Sequence, residues 1–231
     1  MQLTRHLPNA LTCGNLLCGC LGIISIAQNE PIPPAYFVWA AGAFDFFDGF
    51  AARWLKVSSP IGKELDSLAD MVSFGVLPGF AMYSMMRSVE TEGFWPYIAL
   101  LLVVFSALRL AKFNIDERQT DSFIGVPTPA NAFFITALPF LSGAFPVLLN
   151  NIYFLTAITL LFSFLLVAPF ELLALKFKHF RWEGNQLRFV FLFISIALIG
   201  WLGAGGLVPV ILLYILLSLS SRLMATSTES K

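Results

Sequence analysis

The chain has 231 residues, of which 58% are hydrophobic and 12% charged, with fourteen basic and fourteen acidic side chains. A soluble domain carries about 25% charged residues, so this chain cannot cover a water-facing surface and lipid must solvate much of it, as its mean hydropathy of +0.79 also requires. Zero net charge leaves no case for nucleic acid as a partner.

A membrane helix needs about 20 mostly apolar residues. In chain order, eight spans are predicted, roughly over 11–27, 35–55, 62–86, 95–111, 131–149, 152–175, 189–202 and 207–219. Turn-forming residues punctuate them: Asn29-Glu30-Pro31 with Pro33-Pro34, Ser58-Ser59-Pro60, positions 90–93, Asn150-Asn151 and positions 203–206. Polar Asn9, Thr12 and Asn15 follow Arg5 where the apolar run of a signal peptide would begin, so no cleaved leader is expected. Cys13, Cys18 and Cys20 read as small buried hydrophobes, because the two histidines, His6 and His179, lie too far off in sequence to complete a metal site with them. No internal repeat is visible, and 1–231 is expected to be a single domain.

The charges orient the spans. With the N-terminus in the cytoplasm, Arg5, Arg53, Lys56, Lys63, Arg109, Lys112, Arg118, Lys176, Lys178, Arg181, Arg188, Arg222 and Lys231 all fall inside and only Arg87 falls outside. That is a strong positive-inside bias, and an even number of spans puts both termini inside.

Four carboxylates stand where a membrane helix should carry none. Asp45 and Asp48 lie in the second span, and Asp66 and Asp70 in the third. Intramembrane acids point to a functional site by default, and spacings of three and four put each pair on one helical face. Two antiparallel helices turning near Ser58-Ser59 bring all four to similar depth near the cytoplasmic end. Facing carboxylates repel unless cations lie between them. Hard oxygen ligands favour Mg²⁺ or Mn²⁺, and two such ions suit in-line displacement at phosphorus. Salt bridges such as Asp48 with Arg53 or Asp66 with Lys63 are the plainer alternative, and a proton or ion pathway is the rival function. Gly49, Ala51, Ala52 and Gly62 favour phosphate chemistry, because residues without bulk let a ligand approach the backbone. Arg53, one turn after Gly49, is placed to grip a phosphate.

The pattern Asp45-x2-Asp48-Gly49-x2-Ala52-Arg53-x8-Gly62-x3-Asp66-x3-Asp70 resembles the signature of the CDP-alcohol phosphatidyltransferase family. The resemblance implies an all-α polytopic membrane bundle, with a six-helix core inside the eight spans, that often forms homodimers. It also implies metal-dependent transfer from a CDP-linked lipid to a hydroxyl, with release of CMP. By resemblance Asp45, Asp48, Asp66 and Asp70 bind two metal ions, Asp70 is the general base, and Gly49, Ala52, Arg53 and Gly62 line the CDP pocket. Further segments resemble the family's phosphatidylserine synthase branch: Pro8-Asn9-Ala10-Leu11-Thr12-Cys13-Gly14-Asn15, Ser73-Phe74-Gly75, Ala107-Leu108-Arg109-Leu110-Ala111-Lys112-Phe113-Asn114 and Gly125-Val126-Pro127-Thr128-Pro129-Ala130. That branch implies CDP-diacylglycerol as donor, L-serine as acceptor and a bacterial cytoplasmic membrane as location. Lys112, where arginine is expected, and the variable Thr128 are small departures.

Other residues support the same reading. Asn9, Thr12 and Asn15, three apart at the start of the first span, form a polar stripe placed to bind the cytidine, with helix capping the alternative for Asn9. Arg109, Lys112 and Asn114 end the fourth span and are placed for lipid phosphate or the serine carboxylate, with interfacial anchoring the alternative. Lys176, Lys178 and Arg181 beside His179 read as a contact for anionic lipid, and His6 as an interfacial residue. No side chain stands out as a nucleophile, so direct attack by serine, with Asp70 taking its proton, is expected. Glycerol 3-phosphate or an inositol phosphate is the alternative acceptor, and an ion-coupled transporter the alternative class.

Overall fold

The computed structural model describes residues 6–57, 59–115, 124–170, 172, 182 and 185–229, with backbone alone over 221–229. Arg5, Arg118, Lys176, Lys178, His179, Arg181 and Lys231 lie outside them, so the expected basic run is not placed.

Every assigned element is helical. α1 (Leu7–Ala27), α2 (Pro34–Leu55), α3 (Pro60–Asp70) and α4 (Leu77–Val89) come first, with a π-helical segment, Met71–Val76, joining α3 to α4. α5 (Leu100–Ile115), α6 (Thr128–Ala137), α7 (Pro146–Leu149), α8 (Ile152–Val167), α9 (Gln186–Leu202) and α10 (Leu207–Glu229) follow. Leu7–Ala27, Pro60–Val89, Trp95–Ile115 and Gln186–Ser220 are long and apolar enough to cross a membrane, while Thr128–Leu141 and Ile152–Val167 are shorter apolar helices.

Local chemistry sets the boundaries. Pro34 and Pro60 open α2 and α3 at the first helical position, where the missing N–H costs nothing. α2 ends at Lys56, which takes a left-handed conformation (φ 52°), and Ser59 caps α3 by accepting from the Gly62 N–H at 3.0 Å. Two expected spans differ. The one read over 131–149 is broken into α6, a 3₁₀ turn and the four residues of α7. The one read over 152–175 stops at Val167, because Ala168 is extended (ψ 138°) ahead of Pro169, which has no N–H for a helix.

The outer surface is apolar. Phe46, Trp54, Phe164, Phe193 and Trp201 are exposed, as lipid-facing residues must be. One buried apolar cluster, around Met82, Leu102, Phe134, Phe162 and Ile211, ties α4, α5, α6, α8 and α10 together. A second, Val38, Ala41, Phe74, Leu77 and Ala132, joins α2, the π segment, α4 and α6. α1 packs along α2, α3 and the π segment, whereas α2 and α3 have little contact with each other. Small residues permit this closeness: a Cβ on Gly19 would lie 2.5 Å from Ser73 Oγ.

Candidate active site

α1 packs against both α2 and α3, which have little contact with each other and so face one another across a gap rather than as a tight hairpin. Oxygen atoms from Asp45, Asp48 and Asp66 come within 4.8 Å of one another there. Asp70 stands one turn deeper, within electrostatic range of all three. Its depth follows from the connection: α2 ends at Leu55 and α3 starts at Pro60. Asp45 and Asp48 of α2 thus meet Asp66 of α3.

α1 supplies the donors. Thr12 Oγ1 donates to Asp48 Oδ2 at 2.6 Å, and Asn15 Nδ2 donates to Asp70 Oδ1 at 3.1 Å. The Ser73 hydroxyl, in the π segment, donates to the Asn15 backbone carbonyl at 2.9 Å and holds the two helices in register. π bulges gather at functional sites because they re-aim the side chains that follow, and this one begins immediately after Asp70. Asp66 Oδ1 is buried without a hydrogen-bond partner among the described residues.

The salt-bridge alternative does not hold among the described residues. The Arg53 guanidinium lies over Gly49, with Nη1 3.6 Å from where a Cβ would stand. Lys63 Nζ donates instead to the Asn114 carbonyl at 3.3 Å. Three carboxylates are thus left facing one another, and these hard oxygen donors, one of them an orphan, fit a divalent cation.

A groove of about 740 Å³ opens beside the acids, lined by His6, Asn9, Thr12, Asp48, Gly49, Ala52, Lys56, Ser59, Gly62, Lys63 and Asp66. Of the seven residues expected at the nucleotide, Asn9, Thr12, Gly49, Ala52 and Gly62 line it. A Cβ on Gly62 would sit 3.1 Å from Asn9 Oδ1, so bulk there would close the groove. Asn9 lies inside α1 and caps nothing. Arg53 stays exposed at the rim above Gly49. Asn15 departs from the expected stripe: it is fully buried against Asp70. Steps of three along a helix wind backwards, so Asn15 stands about 120° around from Asn9.

The acceptor candidates separate as well. Arg109 is only 7% exposed, too deep to be an interfacial anchor, and donates through Nη1 to Thr128 Oγ1 at 3.4 Å. Asn114 Nδ2 donates to Ser67 Oγ at 2.8 Å and ties the end of α5 to α3. Lys112 is exposed. Sequence reasoning passed over His6, Lys56, Lys63 and Ser59 on the groove wall. The visible signal was the position of Lys63 and Ser59 next to Gly62. Cys13, Cys18 and Cys20 are free thiols; Cys13 and Cys20 are exposed and Cys18 partly buried.

Fold and site together define a polytopic membrane protein with an acid-lined, nucleotide-sized groove at one end of its bundle. The family model of CDP-alcohol phosphatidyltransferases matches residues 5–167. The CDP-diacylglycerol–serine O-phosphatidyltransferase of Bacillus subtilis is 35% identical over 182 residues, 77% of this chain and 92% of that one. Its namesake in Helicobacter pylori is 31% identical over 196 residues, 83% of this chain and 81% of the relative. That of Methanocaldococcus jannaschii is 32% identical over 142 residues, 62% and 63% of the two chains. The chain belongs to the CDP-alcohol phosphatidyltransferase family.

Proposed function

We propose that the chain transfers the phosphatidyl group of CDP-diacylglycerol to the hydroxyl of L-serine, giving phosphatidylserine and CMP. The carrying observation is the convergence of Asp45, Asp48 and Asp66 at the mouth of a groove in a lipid-embedded bundle. Relatives 31% and 35% identical, named for serine as acceptor, select the alcohol.

In this reading Asp45, Asp48, Asp66 and Asp70 hold two divalent ions, Mg²⁺ or Mn²⁺, which when bound neutralise charge on the diphosphate. Thr12 fixes the Asp48 carboxylate, and Asn15 fixes that of Asp70. Gly49, Ala52 and Gly62 leave room for CDP, Asn9 and Thr12 offer it polar contacts, and Lys56, Lys63 and Arg53 at the rim counter its charge. Asp70 accepts the serine hydroxyl proton as that oxygen attacks the lipid-side phosphorus, and CMP leaves through the groove. Arg109 receives the serine carboxylate. Lys112, on the exposed face, serves lipid phosphate.

The groove faces the cytoplasm of a bacterial inner membrane. Lys56 and Lys63 line it, and Arg87 lies near the far end of α4. The chain is one domain that works as a homodimer.

Purified protein in liposomes containing CDP-diacylglycerol tests the assignment through CMP release against a panel of alcohols. Release is expected with L-serine, and not with glycerol 3-phosphate or inositol phosphate. Release with a phosphorylated alcohol alone would reassign the acceptor, and ion flux without CMP would replace the enzyme by a transporter.

A further inference from the structure

Beyond Asp70, away from the residues that line the nucleotide groove, a second set of polar side chains is buried on α5 and α6, with Arg109 and Thr128 joining the two helices. Arg109 touches Thr128 and lies 5.3 Å from the centre of the Phe113 ring, yet among the described residues its Nε has no partner. A cation buried this deeply is costly without an anion. The acid whose charge reaches it, Asp70, already accepts from Asn15.

One turn along α6 from Thr128, on the same face, Asn131 is fully buried, and among the described residues neither its Nδ2 nor its Oδ1 has a partner. Orphaned hydroxyls such as Thr156 and Ser163 carry little meaning. A hydroxyl can rotate onto its own helix, as Thr136 and Thr159 do on the Ala132 and Leu155 carbonyls. A primary amide with both ends bare has no such escape, and leaving it unpaired costs more than any ordinary hydrogen bond returns.

The placement is built in. Gly125 (φ 72°) donates its N–H to the Phe170 carbonyl at 2.8 Å, and the Val126 N–H donates to the Leu165 carbonyl at 2.9 Å, so the start of α6 is tied to the end of α8. A Cβ on Gly125 would strike the Leu166 carbonyl at 2.6 Å. Gly75 in the π segment lets α5 approach, its would-be Cβ lying 3.1 Å from Ser106 Cβ.

We propose that this buried cluster is the subsite for a zwitterionic amino-acid acceptor, in which Arg109 takes the carboxylate and the Asn131 amide oxygen takes the ammonium group. The proposal rests on the transfer reading above and adds to it the residue that selects for the ammonium. An acceptor hydroxyl then points at Asp70. A phosphorylated polyol has no ammonium and leaves the Asn131 oxygen bare. Ethanolamine has no carboxylate and leaves Arg109 bare. Either is disfavoured, because buried polar groups would stay unpaired.

The test is steady-state kinetics of Asn131→Leu, close in shape but unable to hydrogen-bond, in CDP-diacylglycerol liposomes. Serine KM should rise about tenfold or more, with CDP-diacylglycerol KM and kcat at saturating serine within about twofold. Inhibition by 3-hydroxypropionate, which keeps the carboxylate and lacks the ammonium, should be unchanged. Equal rises in both substrate KM values, or a fall in kcat at unchanged serine KM, would overturn the proposal. So would weakening of 3-hydroxypropionate as large as that of serine. Should Asn131→Leu not fold, Asn131→Asp decides the matter. Serine KM is expected within about threefold while 3-hydroxypropionate binds about tenfold more weakly, and the reverse order overturns the proposal. A wild type that releases no CMP with serine defeats the transfer reading itself, whatever the variants do.

Discussion

Polar residues are buried both in the α1–α6 part of the bundle and in the α9–α10 hairpin, but they behave differently. In the hairpin, Ser195 and Ser218 donate at 2.7 and 2.8 Å to the Phe191 and Tyr214 carbonyls one turn back on their own helices. In the first part Thr136 does the same on the Ala132 carbonyl, but five side chains reach across helices instead: Thr12 to Asp48, Asn15 to Asp70, Ser73 to the Asn15 carbonyl, Asn114 to Ser67 and Arg109 to Thr128. A hydroxyl bonded to its own turn lets a helix carry a serine through lipid at low cost. A side chain bonded to another helix fixes a geometry. Burial of a polar group is therefore weak evidence of function, and the direction of its hydrogen bonds is stronger.

The largest effect expected from this contrast is on the acids. Asp45→Asn, Asp48→Asn, Asp66→Asn or Asp70→Asn should each lower serine-dependent CMP release on the order of 10²–10³-fold while the protein stays in the membrane. A middle effect is expected at Thr12. Thr12→Val removes the 2.6 Å bond that orients Asp48 and should weaken metal dependence and rate by about tenfold, with Thr12→Ser close to wild type. The smallest is at Ser195, where alanine should change stability by no more than about 0.5 kcal/mol and activity not at all. A Ser195→Ala loss comparable to that of Thr12→Val would erase the distinction between the two regions.

Much of this was legible in the sequence because the signals are local. Eight apolar runs separated by proline, glycine and asparagine correspond in order to helices, four of them in stretches long and apolar enough to cross a membrane besides shorter ones, and three of the four intramembrane acids converge. The departures arise where geometry is not local. Asn15 turned away because the helix winds under a three-residue spacing. Asp48 meets Asp66 across a turn in which Lys56 closes α2 in a left-handed conformation and Ser59 caps α3. The run over 152–175 was cut short by Pro169, whose effect depends on the chain turning there. Asn131 gave no sign at all, since one asparagine at a predicted span start looks like a boundary residue. Only in the folded structure, where neither end of its buried amide has a partner among the described residues, does it stand out.

The central claim is that the acids of α2 and α3 form a divalent-cation site serving transfer. It is tested most directly by Mn²⁺ titration of the purified protein, followed by electron paramagnetic resonance, for the wild type and Asp66→Asn. The account predicts saturable Mn²⁺ binding by the wild type, displaced by Mg²⁺ and lost or greatly weakened in Asp66→Asn. CMP release should stop in EDTA and return with Mn²⁺. Unchanged Mn²⁺ binding in Asp66→Asn, or full serine-dependent CMP release in excess chelator, would contradict it.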